Sequence, residues 1–262
     1  MQAPLNIMEH FITDIPWTRI VVYLVLSTLV LGNISTYLRK EYALKDGYSR
    51  KINHIGIMII TGPTLAFLPD AQLIPAVFIG SVGLIVIYSI SALSSTWWVH
   101  GIVSGCLRKR DEPSSRFFFF FPLISFNITL VFMALLFPLD IVRIAFFTVA
   151  IADGLAEPIG LRYGVTNTYQ LRDVIWKTTN TKSLAGSFTV MIFSAITFFV
   201  FVAFSYPISS LLMALAVSYG FFIATLEAVS PRGMDNMLIL LIATPVAMTL
   251  TNLYATLNGG VI

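Results

Sequence analysis

The chain has 262 residues, of which 57% are hydrophobic and only 11% charged, with a mean hydropathy of +0.85. A water-soluble domain is nearer half apolar and a quarter charged, so this composition excludes an ordinary soluble globule and makes a lipid bilayer the expected solvent. The net charge of +3 is small and its cations fall in short clusters between apolar runs, a pattern of membrane topology rather than of a nucleic-acid-binding surface.

A helix needs roughly 20 apolar residues to cross the hydrocarbon, and about eight such stretches follow one another along the chain. They are expected at 17–38, 52–69, 72–96, 117–137, 139–160, 184–204, 208–228 and 236–256. No removable signal peptide is expected, because residues 1–16 hold no Lys or Arg and the first apolar run is long and ends in Arg39-Lys40, a stop-transfer flank. Cys106 is the only cysteine, so no internal disulfide forms.

Short loops rich in Lys and Arg stay in the cytoplasm. Arg39, Lys40, Lys45, Arg50 and Lys51 lie between the first two spans, and Arg108, Lys109, Arg110 and Arg116 between the third and fourth. Arg162, Arg172, Lys177 and Lys182 lie between the fifth and sixth, and Arg232 between the last two. The intervening connections "LPDAQ", "FPLD" and "FSYPISS" carry no Lys or Arg. The expected architecture is therefore an all-α polytopic bundle, one integral membrane domain over 1–262, with both termini on the non-cytoplasmic side. The run "RFFFFFP" and the pair Trp97-Trp98 fall at the cytoplasmic ends of spans and read as interfacial anchors.

Four polar clusters interrupt the apolar pattern, and all four fall on the cytoplasmic side by this topology. "SRKINHIG" opens the second span, with Arg50, Lys51 and His54 on one helix face. They suit phosphate oxygens, and His54 suits proton transfer; the alternative is two topological anchors beside an interfacial histidine. "ADGLAEPIGLRYG" ends the fifth span, where Asp153 and Glu157 share a face that Gly160 and Gly164 continue. Acids within a span are costly and mark function; the alternative is a small-residue packing seam through Ala156, Gly160 and Gly164.

"WKTTNTKSLAGSFTV" leads into the sixth span. Lys177, Lys182 and Ser183 precede or open a helix and Gly186 and Ser187 lie in its first turn, an anion site formed of cations, hydroxyls and free amides. An ordinary N-cap with snorkelling lysines is the alternative. In "TLEAVSPRGMDNML", Glu227 ends the seventh span, and Asp235 and Asn236 begin the eighth as a cap or as hard oxygen ligands for Mg²⁺. Carboxylates for a metal, cations for phosphates and an adjacent apolar interior together match phosphoryl transfer, which needs mainly positioning and charge neutralisation.

On "RKINH", on "ADGLAEPIGLRYG" followed by "KSLAGS", and on "LEAVSPRGMDN", the chain resembles the polyprenol kinase family, which includes dolichol, phytol and farnesol kinases and is related to membrane cytidylyltransferases. The resemblance covers about 50–236. It implies a Mg²⁺-dependent kinase that prefers CTP over ATP or UTP and phosphorylates a lipid alcohol at the cytoplasmic face. Asp153 would be the central metal ligand or base, with Glu157, Glu227, Asp235 and Asn236 as further ligands. Arg50, Lys51, Lys177, Lys182, Ser183, Gly160, Gly164, Gly186 and Ser187 would surround the nucleotide, and an oligomer is compatible with the pattern. Two positions depart from the family pattern. Ala152 stands where many relatives have Gly, and Glu157 where they commonly have Asp, which keeps the charge but reaches farther. The rival expectations are a CTP-dependent diacylglycerol kinase, a phosphatidate-type cytidylyltransferase and, in another class, an ion-coupled transporter using Asp153, Glu157 and Glu227.

Overall fold

The computed structural model describes residues 17–258. The first sixteen residues, read above as carrying no removable signal, and the last four lie outside that range, so the placement of the termini does too. The chain is a helical membrane bundle. Its elements are α1 (Trp17–Glu41), α2 (Asp46–Phe67), α3 (Asp70–Leu93), α4 (Trp97–Ser104), α5 (Ser115–Leu136), α6 (Leu139–Phe147), a π-helical turn (Thr148–Asp153), α7 (Gly154–Tyr163), β1 (Thr168–Arg172), β2 (Thr179–Ser183), α8 (Leu184–Ala203), α9 (Ser210–Val229) and α10 (Asp235–Leu257).

Among the described residues six helices are long and apolar enough to cross a membrane: α1 from Val21, α3, α5, α8, α9 and α10. Their ends fall within three residues of six of the spans read from the sequence. The other two expected spans take a different form. The stretch expected at 52–69 is α2, which starts at Asp46 and spends its first turns on Asp46, Arg50, Lys51 and His54. The stretch expected at 139–160 is a rod of α6, the π turn and α7 in succession.

Hydrocarbon offers no partner to a hydroxyl, so several buried Thr side chains bond to their own helices. Thr28, Thr148, Thr197 and Thr244 each donate to the carbonyl four residues back at 2.7–2.8 Å. Proline at 63, 75, 122, 158 and 245 is accommodated inside helices in the same solvent.

Two apolar clusters hold the bundle. The larger gathers α5 to α10 around the fully buried Phe198, Tyr219 and Tyr254. Gly220 lets α9 close on α8, because a Cβ there would lie 2.9 Å from Ala195 Cβ. The smaller cluster centres on Ile57, Tyr88, Ile102 and Val103. Short α4 is tied to α1 by Asn33 Nδ2 donating to Trp98 O (2.9 Å) and Thr36 Oγ1 to Gly101 O (2.7 Å).

The bundle is mostly helical, as expected, with one short addition: β1 and β2 form an antiparallel hairpin with Thr168 opposite Ser183 and Arg172 opposite Thr179. This stretch is too polar for the hydrocarbon and its burial alternates residue by residue, the period of a strand. Lys182 and Ser183 therefore sit on β2, immediately before α8.

Candidate active site

The end of the bundle where α2, α8 and α10 begin and α7 and α9 finish encloses a polar cavity of about 630 Å³. Arg50 and Lys51 reach it from α2, Asp153 from the π turn, and Glu157, Gly160 and Gly164 from α7. Lys182 and Ser183 come from the hairpin, Gly186 and Ser187 from α8, Glu227 from α9 and Asp235 from α10. Residues up to 190 positions apart in sequence thus line one cavity, which only helix packing brings about.

Three of the residues singled out from the sequence lie elsewhere. Lys177 is exposed, adopts a left-handed backbone (φ 55°) in the hairpin turn, and does not line the cavity. The turn directs it to solvent, so the expected phosphate contact is not formed by this residue. His54 and Asn236 line a second, apolar cavity instead. His54 follows Arg50 by four residues and Asn236 follows Asp235 by one, so both sit deeper along their helices than their cavity-lining neighbours.

The charges in the polar cavity are largely paired. Lys51 Nζ lies 2.6 Å from Asp153 Oδ2 and 2.8 Å from the Asp153 carbonyl oxygen. Lys182 Nζ lies 2.5 Å from Glu227 Oε1 and also binds the Glu227 carbonyl. Arg108 pairs with Glu157 at 3.1 Å, and Arg232 with Asp111. Arg50 and Asp235 belong to no ion pair among the described residues; Asp235 accepts the Asn236 N–H at 3.0 Å. A cation and an acid thus remain to interact with whatever enters.

The π turn shapes this arrangement. A π turn widens the helix by one residue and is found disproportionately at functional sites; here it ends at Asp153, the carboxylate that Lys51 holds. Among the described residues, His54 Nε2 is buried with no partner, as is Asn236 Oδ1.

The glycines act chiefly by allowing close approach. A Cβ on Gly160 would lie 2.8 Å from Ser183 Oγ, one on Gly164 would be closer still to the Ser183 side chain, and one on Gly186 would be 3.2 Å from Ala156 O. The packing-seam alternative thus describes these positions well, while the same residues also line the cavity. Ser183 Oγ accepts the Gly186 N–H at 3.1 Å as the N-cap of α8, and the Ser187 hydroxyl is bonded to Tyr169 OH at 2.6 Å.

Sequence reasoning missed several lining residues. Lys45, Arg108 and Arg232 read as topological anchors, and Asp111 drew no notice, yet all four face the cavity. It also missed Asp173, which ties the hairpin to the loop before α10. Its Oδ1 accepts from the Ile175 and Trp176 N–H groups (3.0 Å each), and its Oδ2 from Asn180 Nδ2 (2.9 Å) and the Arg232 N–H (2.8 Å). Burial pushes the Asp173 carboxyl up, but these donors together outweigh it and hold the group below the usual carboxylate range. Trp176 completes the latch by donating to Arg232 O at 3.0 Å and packing edge-on against Phe117 and Phe118. An Asp two residues before a turn amide is an Asx-turn signal, and it was the available clue.

The apolar cavity, about 380 Å³, is lined chiefly by α1, α2, α3 and α5, with Cys106, Phe146 of α6 and Asn236 of α10 completing it. Arg50 lines both cavities. The polar chamber and the apolar one therefore adjoin at a cation.

The five expected metal ligands do not assemble into one cluster, and no group of three or more His, Cys, Asp and Glu side chains comes together among the described residues. Glu157 is drawn to Arg108, Glu227 to Lys182, and Asn236 lines the other cavity. Asp153 is likewise paired, with Lys51, and Asp235, in no ion pair among the described residues, lies within electrostatic reach of both Asp153 and Glu227. Two carboxylates facing a cavity rich in cations fit Mg²⁺, which takes one or two carboxylates and completes its shell with substrate phosphates and water. No family model, no curated protein and no solved structure matches the chain.

Proposed function

We propose that the protein is a membrane-embedded phosphotransferase that moves the terminal phosphoryl group of a nucleoside triphosphate, CTP by the resemblance described above, onto the hydroxyl of an isoprenoid-type lipid alcohol. The observation that carries this reading is the junction at Arg50, where a cavity of paired acids and cations meets an apolar cavity inside the bundle. The nucleotide phosphates would occupy the polar side and the lipid chain the apolar side. By the distribution of Lys and Arg the chain crosses the membrane eight times, with both termini outside and the polar cavity open to the cytoplasm.

In this reading Lys51 and Lys182 exchange their carboxylates for phosphate oxygens when the nucleotide enters, and Arg50 holds the transferred group at the junction. The acceptor oxygen attacks the terminal phosphorus, the bond to the bridging oxygen breaks, and a nucleoside diphosphate leaves. His54 Nε2, the ring nitrogen without a partner, takes the hydroxyl proton. Asp153 and Asp235 would hold Mg²⁺, whose charge would offset that of the phosphates. The deciding experiment supplies purified protein with CTP, ATP or UTP labelled at the terminal phosphate, against farnesol, phytol, a long polyprenol and diacylglycerol. Label on an alcohol supports the reading, and its absence from all four with all three nucleotides overturns it.

A second reading draws on the same unpaired Arg50, which would also hold the phosphate of a lipid phosphate. The protein would then be a cytidylyltransferase that attaches CMP and releases diphosphate. CTP labelled at the α-phosphate separates the two, because that label reaches the lipid only in the second case.

A further inference from the structure

We infer that the apolar cavity takes one hydrocarbon chain, admitted sideways from the bilayer between α1 and α3, and that Gly80 keeps that path open. This rests on the reading above, in which the chain belongs to the alcohol acceptor. The lining follows α2 from Arg50 to Leu65, which at ~1.5 Å per residue is about 22 Å of helix axis. It thus starts at the polar chamber and runs through most of the ~30 Å hydrocarbon thickness.

The opening lies on the α1–α3 side. Tyr23 on α1 lines the cavity and is 67% exposed. The two helices pinch together at Gly83, where a Cβ would come within 2.9 Å of Leu24 Cδ2. Three residues earlier there is open space: Gly80 lines the cavity, and a Cβ there would meet nothing within 4 Å. Any larger side chain at 80 would project into that gap.

The size sets the class of occupant. With ~30 Å³ for each water-sized group, the cavity of about 380 Å³ holds about a dozen methylene-sized groups. That is a single chain of about a dozen carbons, and not the two chains of a diacylglycerol. A longer chain leaves through the gap beside Gly80, at little cost because its surroundings stay apolar.

The test uses the full-length protein in lipid nanodiscs with two readouts. The first is photolabelling by a diazirine-bearing farnesol analogue. The label is expected on peptides containing Tyr23 or Gly80, displaced by farnesol and not by diacylglycerol, and reduced about tenfold or more in Gly80→Leu. The second is the ratio of farnesol to prenol phosphorylation, which should fall in Gly80→Leu, fall less in Gly80→Ala, and rise in Leu84→Ala, which enlarges the same cavity. Phosphorylation with an unchanged ratio in all three variants, labelling elsewhere, or equal displacement by diacylglycerol overturns the inference and leaves the kinase reading standing. Labelling at α1 and α3 that Gly80→Leu abolishes, in a protein that phosphorylates no alcohol, supports the inference and overturns the kinase reading.

Discussion

Lys51 binds both the side chain and the backbone carbonyl of Asp153, so one ammonium ties the start of α2 to the last residue of the π turn, 102 positions away. The two side chains are only 5% and 8% exposed. A pair so buried contributes little net stability compared with an apolar replacement, but breaking it strands the remaining charge.

That asymmetry yields the first prediction. Lys51→Met and Asp153→Asn are each expected to destabilise the bundle by about 3–5 kcal/mol, read as a lower Tm of the detergent-solubilised protein. The double variant should recover part of that loss while phosphoryl transfer stays abolished. Strictly additive losses would show that the two groups are not coupled.

Lys182 holds Glu227 in the same way in the same cavity. If it exchanges that partner for a phosphate, Lys182→Met should raise the KM for the nucleotide about tenfold or more, equivalent to about 1.4 kcal/mol or more of binding. Lys182→Arg should restore part of it. A KM that stays constant in Lys182→Met would place this lysine outside nucleotide binding.

Asp173 predicts a pH dependence. Its carboxyl is held below the usual range in the folded chain, so its contribution is fully present above the unfolded value of ~4 and is lost as pH falls through the lower folded value. In Asp173→Asn an amide replaces one oxygen and faces the Asn180 and Arg232 donors or the two turn amides. Two charge-assisted bonds are lost, each worth about 1.5–3 kcal/mol. Hydrogen exchange across 168–183 should show an acid-induced opening in the parent chain and a faster exchange with a flatter pH profile in the variant. An identical acid profile in both would remove Asp173 from the latch.

Close approach at Gly160 gives the fourth prediction. A Cβ there presses on Ser183 Oγ, the cap of α8, whose own loss costs about 1 kcal/mol. Gly160→Ala should therefore be destabilising. Adding Ser183→Ala to it should cost less than Ser183→Ala does in the parent chain, because the clashing atom is gone. Equal costs in the two backgrounds, measured as Tm shifts, would mean that α7 simply moves away.

Much of the architecture was legible along the chain. Six spans appear within three residues of their expected ends because the hydrocarbon thickness demands a run of fixed length. The polar clusters that share the cavity stood out because acids and cations are costly beside such runs. The hairpin did not, since five alternating residues of β1 are too few to set a period apart from a loop. Nor did the roles of Arg108 and Arg232, whose clusters have an equally good topological reading.

The sequence by itself determined the solvent, the approximate spans and the stock of charged groups, because hydropathy and charge are properties of residues read one after another. Tertiary structure alone decided that Lys51 meets Asp153 and Lys182 meets Glu227, that His54 and Asn236 line the apolar cavity, and that Gly80 borders it with open space around its Cα. Those are relations between helices distant in sequence, and they follow from which side chains and glycines let two helices touch.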